Sequence, residues 1–273
     1  MEFFRFNPPS DKPILHLAHA NGFPPRTYRR FFQTFSNAYQ GLALPARPFW
    51  PENDPRNMKH WSFMAEDLLN ALRPLGQKVV GVGHSFGGVL TLYAALREPE
   101  RFSRLILLDP TMLAPIELWK IGWARKFGIE LRQDLVAGAL RRRRHWESRE
   151  AAVKGFRSKP LFKDWPSETL EDYVAGLTAP DPEGGVSLLY SPEWEARIYQ
   201  TIPTDVWKAV AGLQVPTLVI RGERSTVFTP KSEEALRRTN PRVLVETLAG
   251  AGHLAPMEQP EATADLGLKF LQN

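Results

Sequence analysis

Short continuous apolar runs alternate with segments in which apolar residues recur every three to four positions, and that alternation sets the expected elements. The first run, 14–18, ends in His19-Ala20-Asn21-Gly22-Phe23 with Pro24 and Pro25 behind it, which reads as a strand, a glycine turn and the start of a helix. Aromatic and arginine residues alternate at helical spacing over 27–35, a short strand follows at 40–44, and the proline-rich stretch 46–55 is a loop. Trp61, Met64, Ala65, Leu68, Leu69 and Leu72 form the buried stripe of a helix. A strand at 78–82, a helix at 89–97 and a strand at 105–108 come next, the last ending in Asp109-Pro110. Strands that are apolar throughout and separated by helices predict a parallel sheet covered on both faces. For about a hundred residues after Pro110 the pattern is irregular helix with no convincing strand. It then resumes with a strand at 216–221, a helix at 232–238, a strand at 242–247, a glycine-rich turn to His253 and a helix at 260–271. The expected organisation is an α/β core, 1–110 and 213–273, interrupted by a helical insertion at 111–212.

Composition narrows the class. At 273 residues the chain has room for one enlarged domain, and 43% hydrophobic with 24% charged residues is ordinary globular composition. There is no cysteine, so disulfides, thiolate nucleophiles, iron–sulfur clusters and cysteine-containing zinc sites are excluded. The start of the chain lacks a signal-peptide pattern and no run reaches the ~18 apolar residues of a membrane helix; a soluble, cytoplasmic protein is expected. The net charge of +5 is a weak field over 31 kDa. Its densest part is Arg141-Arg142-Arg143-Arg144-His145-Trp146, followed closely by Glu147 and Glu150, which is the pattern of a solvated helix face. No nucleic-acid partner is expected; the run could instead meet a lipid interface.

Candidate chemistry centres on Gly83-His84-Ser85-Phe86-Gly87, a G-x-S-x-G sequence between an expected strand and an expected helix. Glycines two before and two after Ser85 let the backbone double back, lifting the hydroxyl above the sheet and aiming the helix N-terminal amides at the same point. A serine hydroxyl needs a base. Of six histidines, His253 sits on a tight turn, Ala249-Gly250-Ala251-Gly252-His253, just after the last strand. His84 points the wrong way on the elbow, His60 and His145 lie in polar surroundings, and His16 is a strand residue.

These residues resemble the α/β-hydrolase family, in the order serine, acid, histidine, over the two core pieces and not over the insertion. The resemblance implies that the backbone amides of Phe86 and Asn21 form an oxyanion hole and that His19 braces the loop. It also implies an acid after the strand at 216–221, where the chain instead reads Gly222-Glu223-Arg224-Ser225-Thr226, with threonine at the expected carboxylate. Two carboxylates could replace it: Asp109, at the end of the preceding strand, is favoured on reach, and Glu223 is the alternative.

The insertion is expected to cap Ser85. Its aromatics, Trp119, Trp123, Trp146, Trp165, Trp194, Trp207, Phe127, Phe156, Phe162, Tyr173 and Tyr199, suit an ester with a hydrophobic group, although they equally suit the insertion's own core and seam. The expected activity is cofactor-free and metal-free hydrolysis of small carboxylic esters. Thioester, lactone, amide or carbon–carbon cleavage would use the same machinery. Epoxide and dehalogenase chemistry is disfavoured, since those relatives carry aspartate where this chain has Ser85. The rival from another class, kept open by Thr226, is a ligand-binding protein on the hydrolase fold.

Overall fold

The computed structural model describes residues 2–51, 54–129 and 131–273. The strands are β1 (Phe4–Arg5), β2 (Ile14–Ala18), β3 (Gln40–Ala43), β4 (Val79–His84) and β5 (Phe102–Leu108), then the short β6 (His145–Trp146), β7 (Thr178–Pro180) and β8 (Val186–Leu188), and finally β9 (Thr217–Gly222) and β10 (Leu244–Leu248). The main sheet runs β1-β3-β2-β4-β5-β9-β10, with only β1 antiparallel to its neighbour. After β3 the order jumps back across β2 to place β4, so the carboxyl ends of β2 and β4 flank a switch point, where open α/β sheets bind ligands.

The uniformly apolar strands have a simple origin. Along β5, Leu105 and Leu107 join one core while Ile106 and Leu108 join the other. The pleat sends successive side chains to opposite faces, so burial on both faces demands an unbroken run. The helices of the first half are α1 (Arg29–Gln33), entered through a tight turn at Pro25–Tyr28, α2 (Ser62–Leu72) and α3 (Phe86–Arg97). Trp61 and the α2 and α3 residues pack on one face; Tyr28, Phe31, Phe32 and Phe35 pack on the other.

Between β5 and β9 lie α4 (Pro115–Lys126), α5 (Gln133–Leu140), α6 (Arg149–Arg157), α7 (Ser167–Leu177), α8 (Pro192–Gln200) and α9 (Val206–Gly212). This stretch also contains strands, contrary to the sequence expectation: β6, β8 and β7 form an antiparallel sheet in that order. Two or three residues cannot display a period of two, which is why they leave no trace in the pattern. Most of the aromatics here are buried in cores shared with the main sheet. Trp146, Phe156, Phe162, Trp165 and Tyr173 belong to one and Trp194 to the other, so for these residues the seam reading holds. Trp119, Trp123 and Phe127 are exposed instead. The chain closes with α10 (Pro230–Thr239), α11 (Ala255–Glu258) and α12 (Pro260–Gln272). Among the described residues, no helix is long and apolar enough to cross a membrane.

Three histidines are wholly enclosed by this packing. His16 Nε2 accepts from Leu44 N–H at 3.1 Å, and His19 accepts from Ala46 N–H at 2.9 Å while donating through Nδ1 to Ala20 O at 2.8 Å. Burial lowers their pKa to about 3 and about 4 respectively, and it lowers that of His84 to about 3. A neutral imidazole in the fold and an ordinary one in the unfolded chain means that unfolding takes up protons below pH ~6.5. Stability is therefore full above that pH and falls on acidification towards pH 4, by roughly 1.4 kcal/mol per pH unit for each such histidine. Urea unfolding between pH 7.5 and 5 measures the slope; a flat profile would refute the neutral assignment.

Two glycines make opposite predictions. A Cβ on Gly87 would stand 2.0 Å from Ala18 O, where the elbow crosses β2, whereas one on Gly138, inside α5, meets nothing within 4 Å. Gly87→Ala should cost about 3 kcal/mol or more, and Gly138→Ala should add about 0.5–1 kcal/mol through helix propensity. Equilibrium unfolding of both variants checks the pair.

Candidate active site

The site is assembled from the carboxyl ends of adjacent strands. Ser85 follows β4 and adopts φ +55°, ψ −117°, a conformation that L-residues rarely occupy. Close approach explains the flanking glycines: a Cβ on Gly83 would sit 2.6 Å from Gly87 O and from the Cα of Gly88. The turn is held by Ser85 N–H donating to Leu108 O at 3.0 Å and by Gly88 and Thr111 N–H both donating to Ser85 O at 3.1 Å.

Ser85 Oγ lies 2.9 Å from His253 Nε2, and His253 Nδ1 lies 2.7 Å from Asp109 Oδ1. The tautomer follows from these contacts: Nδ1–H donates to the carboxylate, leaving Nε2 to accept the serine proton. Thr111 Oγ1 is 3.1 Å from Ser85 Oγ, and with the serine proton directed at His253 it is the threonine that donates.

Asp109 terminates β5 with φ +39° and is fully buried. Besides His253, its carboxylate accepts from Gly222 N–H at 2.9 Å, Ser225 Oγ–H at 2.6 Å and Phe228 N–H at 3.3 Å. The end of β9 and the loop after it, from which an acid was expected, thus supply donors to the carboxylate at the end of the neighbouring strand. Glu223, the alternative, is directed elsewhere: it is exposed and accepts from Gly250 N–H at 2.8 Å, bracing the histidine turn from outside. It does not reach His253. Thr226 lies in the wall of the cavity.

His84 does face away from Ser85, and its position shows a bracing contact that the sequence reading missed. Ala20 N–H donates to Tyr28 Oη at 3.0 Å, Tyr28 Oη–H to His84 Nδ1 at 2.7 Å, and His84 Nε2–H to His253 O at 2.9 Å. Only neutral His84 can serve in both senses, in keeping with its lowered pKa. The remaining histidines have other partners: His60 contacts Ser62 and Asp205, and His145 donates to Gly184 O.

Phe86 and Asn21 both border the cavity at Ser85. As the first residue of α3, Phe86 has an N–H with no partner within the helix. The Asn21 side chain is engaged with the inserted stretch, its Nδ2 donating to Glu195 O at 3.2 Å and its Oδ1 accepting from Tyr190 Oη–H at 2.8 Å. Next to it, Gly22 has φ +80°, and a Cβ there would come within 3.1 Å of both Arg142 Nη1 and Glu195 Oε1.

Arg142 is therefore not part of a solvated face. It donates to Glu195 at 2.5 Å and to Tyr173 Oη at 2.8 Å. Burial opposes its charge, but Tyr173 and Glu195 outweigh it and raise the guanidinium pKa above its ordinary value. Arg144 pairs with Glu193, and Arg143 donates to His145 O. Three of the four arginines of the run thus have local partners.

A cavity of about 370 Å³ opens above Ser85 and His253, walled by Trp61, Leu135, Leu161, Ile198, Ile202, Val227 and Leu254 among others. Of the aromatics singled out in the insertion, only Tyr199 reaches it. Among the described residues no group of three or more His, Asp or Glu side chains could hold a metal ion.

Comparison with known proteins agrees with this architecture. A family model described as the alpha/beta hydrolase fold matches residues 15–260. The chain is 27% identical over 230 residues to Abhydrolase domain-containing protein ACTT2-1 of Alternaria alternata, covering 70% of this chain and 81% of that one. It is 31% identical over 286 residues to Epoxide hydrolase 3 of Xenopus tropicalis, covering 95% and 71%. The crystal structure of E-2-(acetamidomethylene)succinate hydrolase superposes with a TM-score of 0.82 at 19% identity, over 96% of this chain and 92% of that one. The chain belongs to the α/β-hydrolase fold family.

Proposed function

We propose that the protein is a serine hydrolase that cleaves carboxylic esters through an acyl-enzyme, with Ser85, His253 and Asp109 as the catalytic residues. The observation that carries this reading is the continuous hydrogen-bonded chain from Ser85 Oγ through His253 to Asp109 at 2.9 and 2.7 Å, beneath an apolar cavity. Nε2 of His253 takes the serine proton as Oγ adds to the substrate carbonyl. Asp109 keeps the imidazole in the required tautomer and stabilises the imidazolium. The amides of Phe86 and Asn21 receive the developing oxyanion, a contribution typically of a few kcal/mol per donor. His253 then protonates the departing alcohol, and water repeats the sequence on the acyl-enzyme. The residues 111–212 serve as the cap that closes the cavity. Its apolar wall favours an ester with a hydrophobic acyl or alcohol group.

One relative is named an epoxide hydrolase, but Ser85 argues against that chemistry here. Opening an epoxide with a serine hydroxyl would leave an ether, which has no carbonyl for water to attack; an aspartate at that position forms a hydrolysable ester.

A fluorophosphonate should label Ser85 and p-nitrophenyl esters should be turned over, with both lost in Ser85→Ala. Absence of labelling and turnover in the parent would favour the ligand-binding reading. The acid is tested separately. Asp109→Asn should lower kcat/KM by about a thousandfold or more, because the amide cannot stabilise the imidazolium, whereas Glu223→Gln should stay within a few-fold of the parent. The reverse ranking, with both variants folded by circular dichroism, would overturn the assignment.

A further inference from the structure

Arg132 borders the catalytic cavity together with Ser85 and His253, and that lining contains no Asp or Glu. It also borders a second cavity of about 280 Å³, with Tyr199 and Ile202 common to both. Arg132 is half-buried, yet among the described residues its guanidinium makes no hydrogen bond or ion pair; Glu117 and Tyr199 act on it only through their fields. Burial lowers its pKa below the ordinary arginine value.

Every other enclosed arginine near the site has a partner. Arg142 is held by Glu195 and Tyr173, Arg125 by the carbonyls of Gln200 and Ile202, and Arg197 by that of Met58. Nor does the helix account for Arg132. It occupies the N-cap position of α5, makes no capping hydrogen bond, and places a cation at the positive end of the helix dipole. A partly desolvated guanidinium with open donors is costly unless something anionic completes it.

We propose that Arg132 is a specificity-determining residue that receives a carboxylate carried by the substrate, so that the preferred esters are monoanionic with an apolar spacer between the carboxylate and the scissile carbonyl. The proposal rests on the ester-hydrolase reading and adds the substrate class. A planar guanidinium fork matches a carboxylate in two parallel hydrogen bonds. One open guanidinium matches one charge, since Arg125 and Arg197 are engaged with main-chain carbonyls. Leu135, Ile198 and Ile202, which line the same cavity as Ser85 and Arg132, suit the spacer.

The test compares mono-4-nitrophenyl adipate and suberate with their methyl-capped, neutral counterparts, using the parent, Arg132→Met and Arg132→Lys. The readout is the ratio of kcat/KM for the charged ester to that for its neutral twin. The parent ratio should exceed unity for at least one spacer, Arg132→Met should lower it by about 10- to 100-fold, and Arg132→Lys should retain part of it. Added salt should raise KM for the charged ester alone. A parent that prefers the neutral twins, or a ratio unmoved by Arg132→Met, would overturn the proposal while leaving the hydrolase reading intact. If instead the parent neither labels at Ser85 nor turns over any ester, that reading fails, and titration of adipate monomethyl ester into Ser85→Ala decides the Arg132 assignment. Saturable binding that disappears in the Ser85→Ala, Arg132→Met double variant supports it; no binding refutes it.

Discussion

The carboxylate of Asp109 is the point on which the site is built. A fully buried charge is tolerable only with a complete set of donors, and this one draws them from three places: Gly222 at the end of β9, Ser225 and Phe228 of the loop that follows, and His253 of the turn after β10. Because the bonds converge on one group, they fix the spacing of the strand ends relative to each other. Gly222 has to be glycine for the same reason: a Cβ there would stand 2.0 Å from Gly252 O, where the two loops touch. Arg224 N–H donating to Ala251 O and Glu223 accepting from Gly250 N–H close the same seam. Removing the charge at Asp109 would disturb the position of the imidazole as well as its electrostatics.

This arrangement explains what could be read from the chain in advance and what could not. The parallel sheet was legible because burial on both faces leaves unbroken apolar runs, and Ser85 stood out because an elbow imposes glycines at fixed distances in sequence. His253 was legible through its glycine-rich turn after the last strand. Asp109 could be weighed against Glu223 only on strand position, since the deciding fact, which carboxylate the loop donors surround, depends on contacts more than a hundred residues apart. Thr111, Tyr28 and His84 carried no signal for the same reason. Each is an ordinary residue until the fold sets it against Ser85, Ala20 or His253. The two- and three-residue strands β6, β7 and β8 were invisible because they are shorter than the period that would reveal them.

The inserted stretch also reaches the loop after β2. Asn21 is held by Tyr190 and Glu195, and Glu195 is itself paired with Arg142 directly behind Gly22. The loop that carries one expected oxyanion donor is thus set from the insertion side, while the other donor, on Phe86, is set by the elbow. Buried aromatics continuous with both main-sheet cores tie α6, α7 and α8 to the body of the protein. In the region of α4, Ile116, Trp119, Trp123 and Phe127 are exposed, while Leu118 is buried in one main-sheet core and Ile121 packs against it. Moving the stretch over Asn21 would separate the Arg142–Glu195 ion pair.

The Ala20 loop and the His253 turn are joined by a further set of hydrogen bonds. The chain from Ala20 N–H through Tyr28 and His84 to His253 O runs in one direction, each group donating to the next. It links the backbone at Ala20, beside Asn21, to the backbone of His253. Its direction depends on an uncharged His84: protonation would place a hydrogen on Nδ1 and leave Tyr28 without its acceptor. Burial, with His253 adding to it, keeps the His84 pKa at about 3, so the brace stays intact from neutral pH down to well below the ordinary histidine range. The histidine next to Ser85 is thereby enclosed and neutral, a fixed strut between Tyr28 and the backbone of His253.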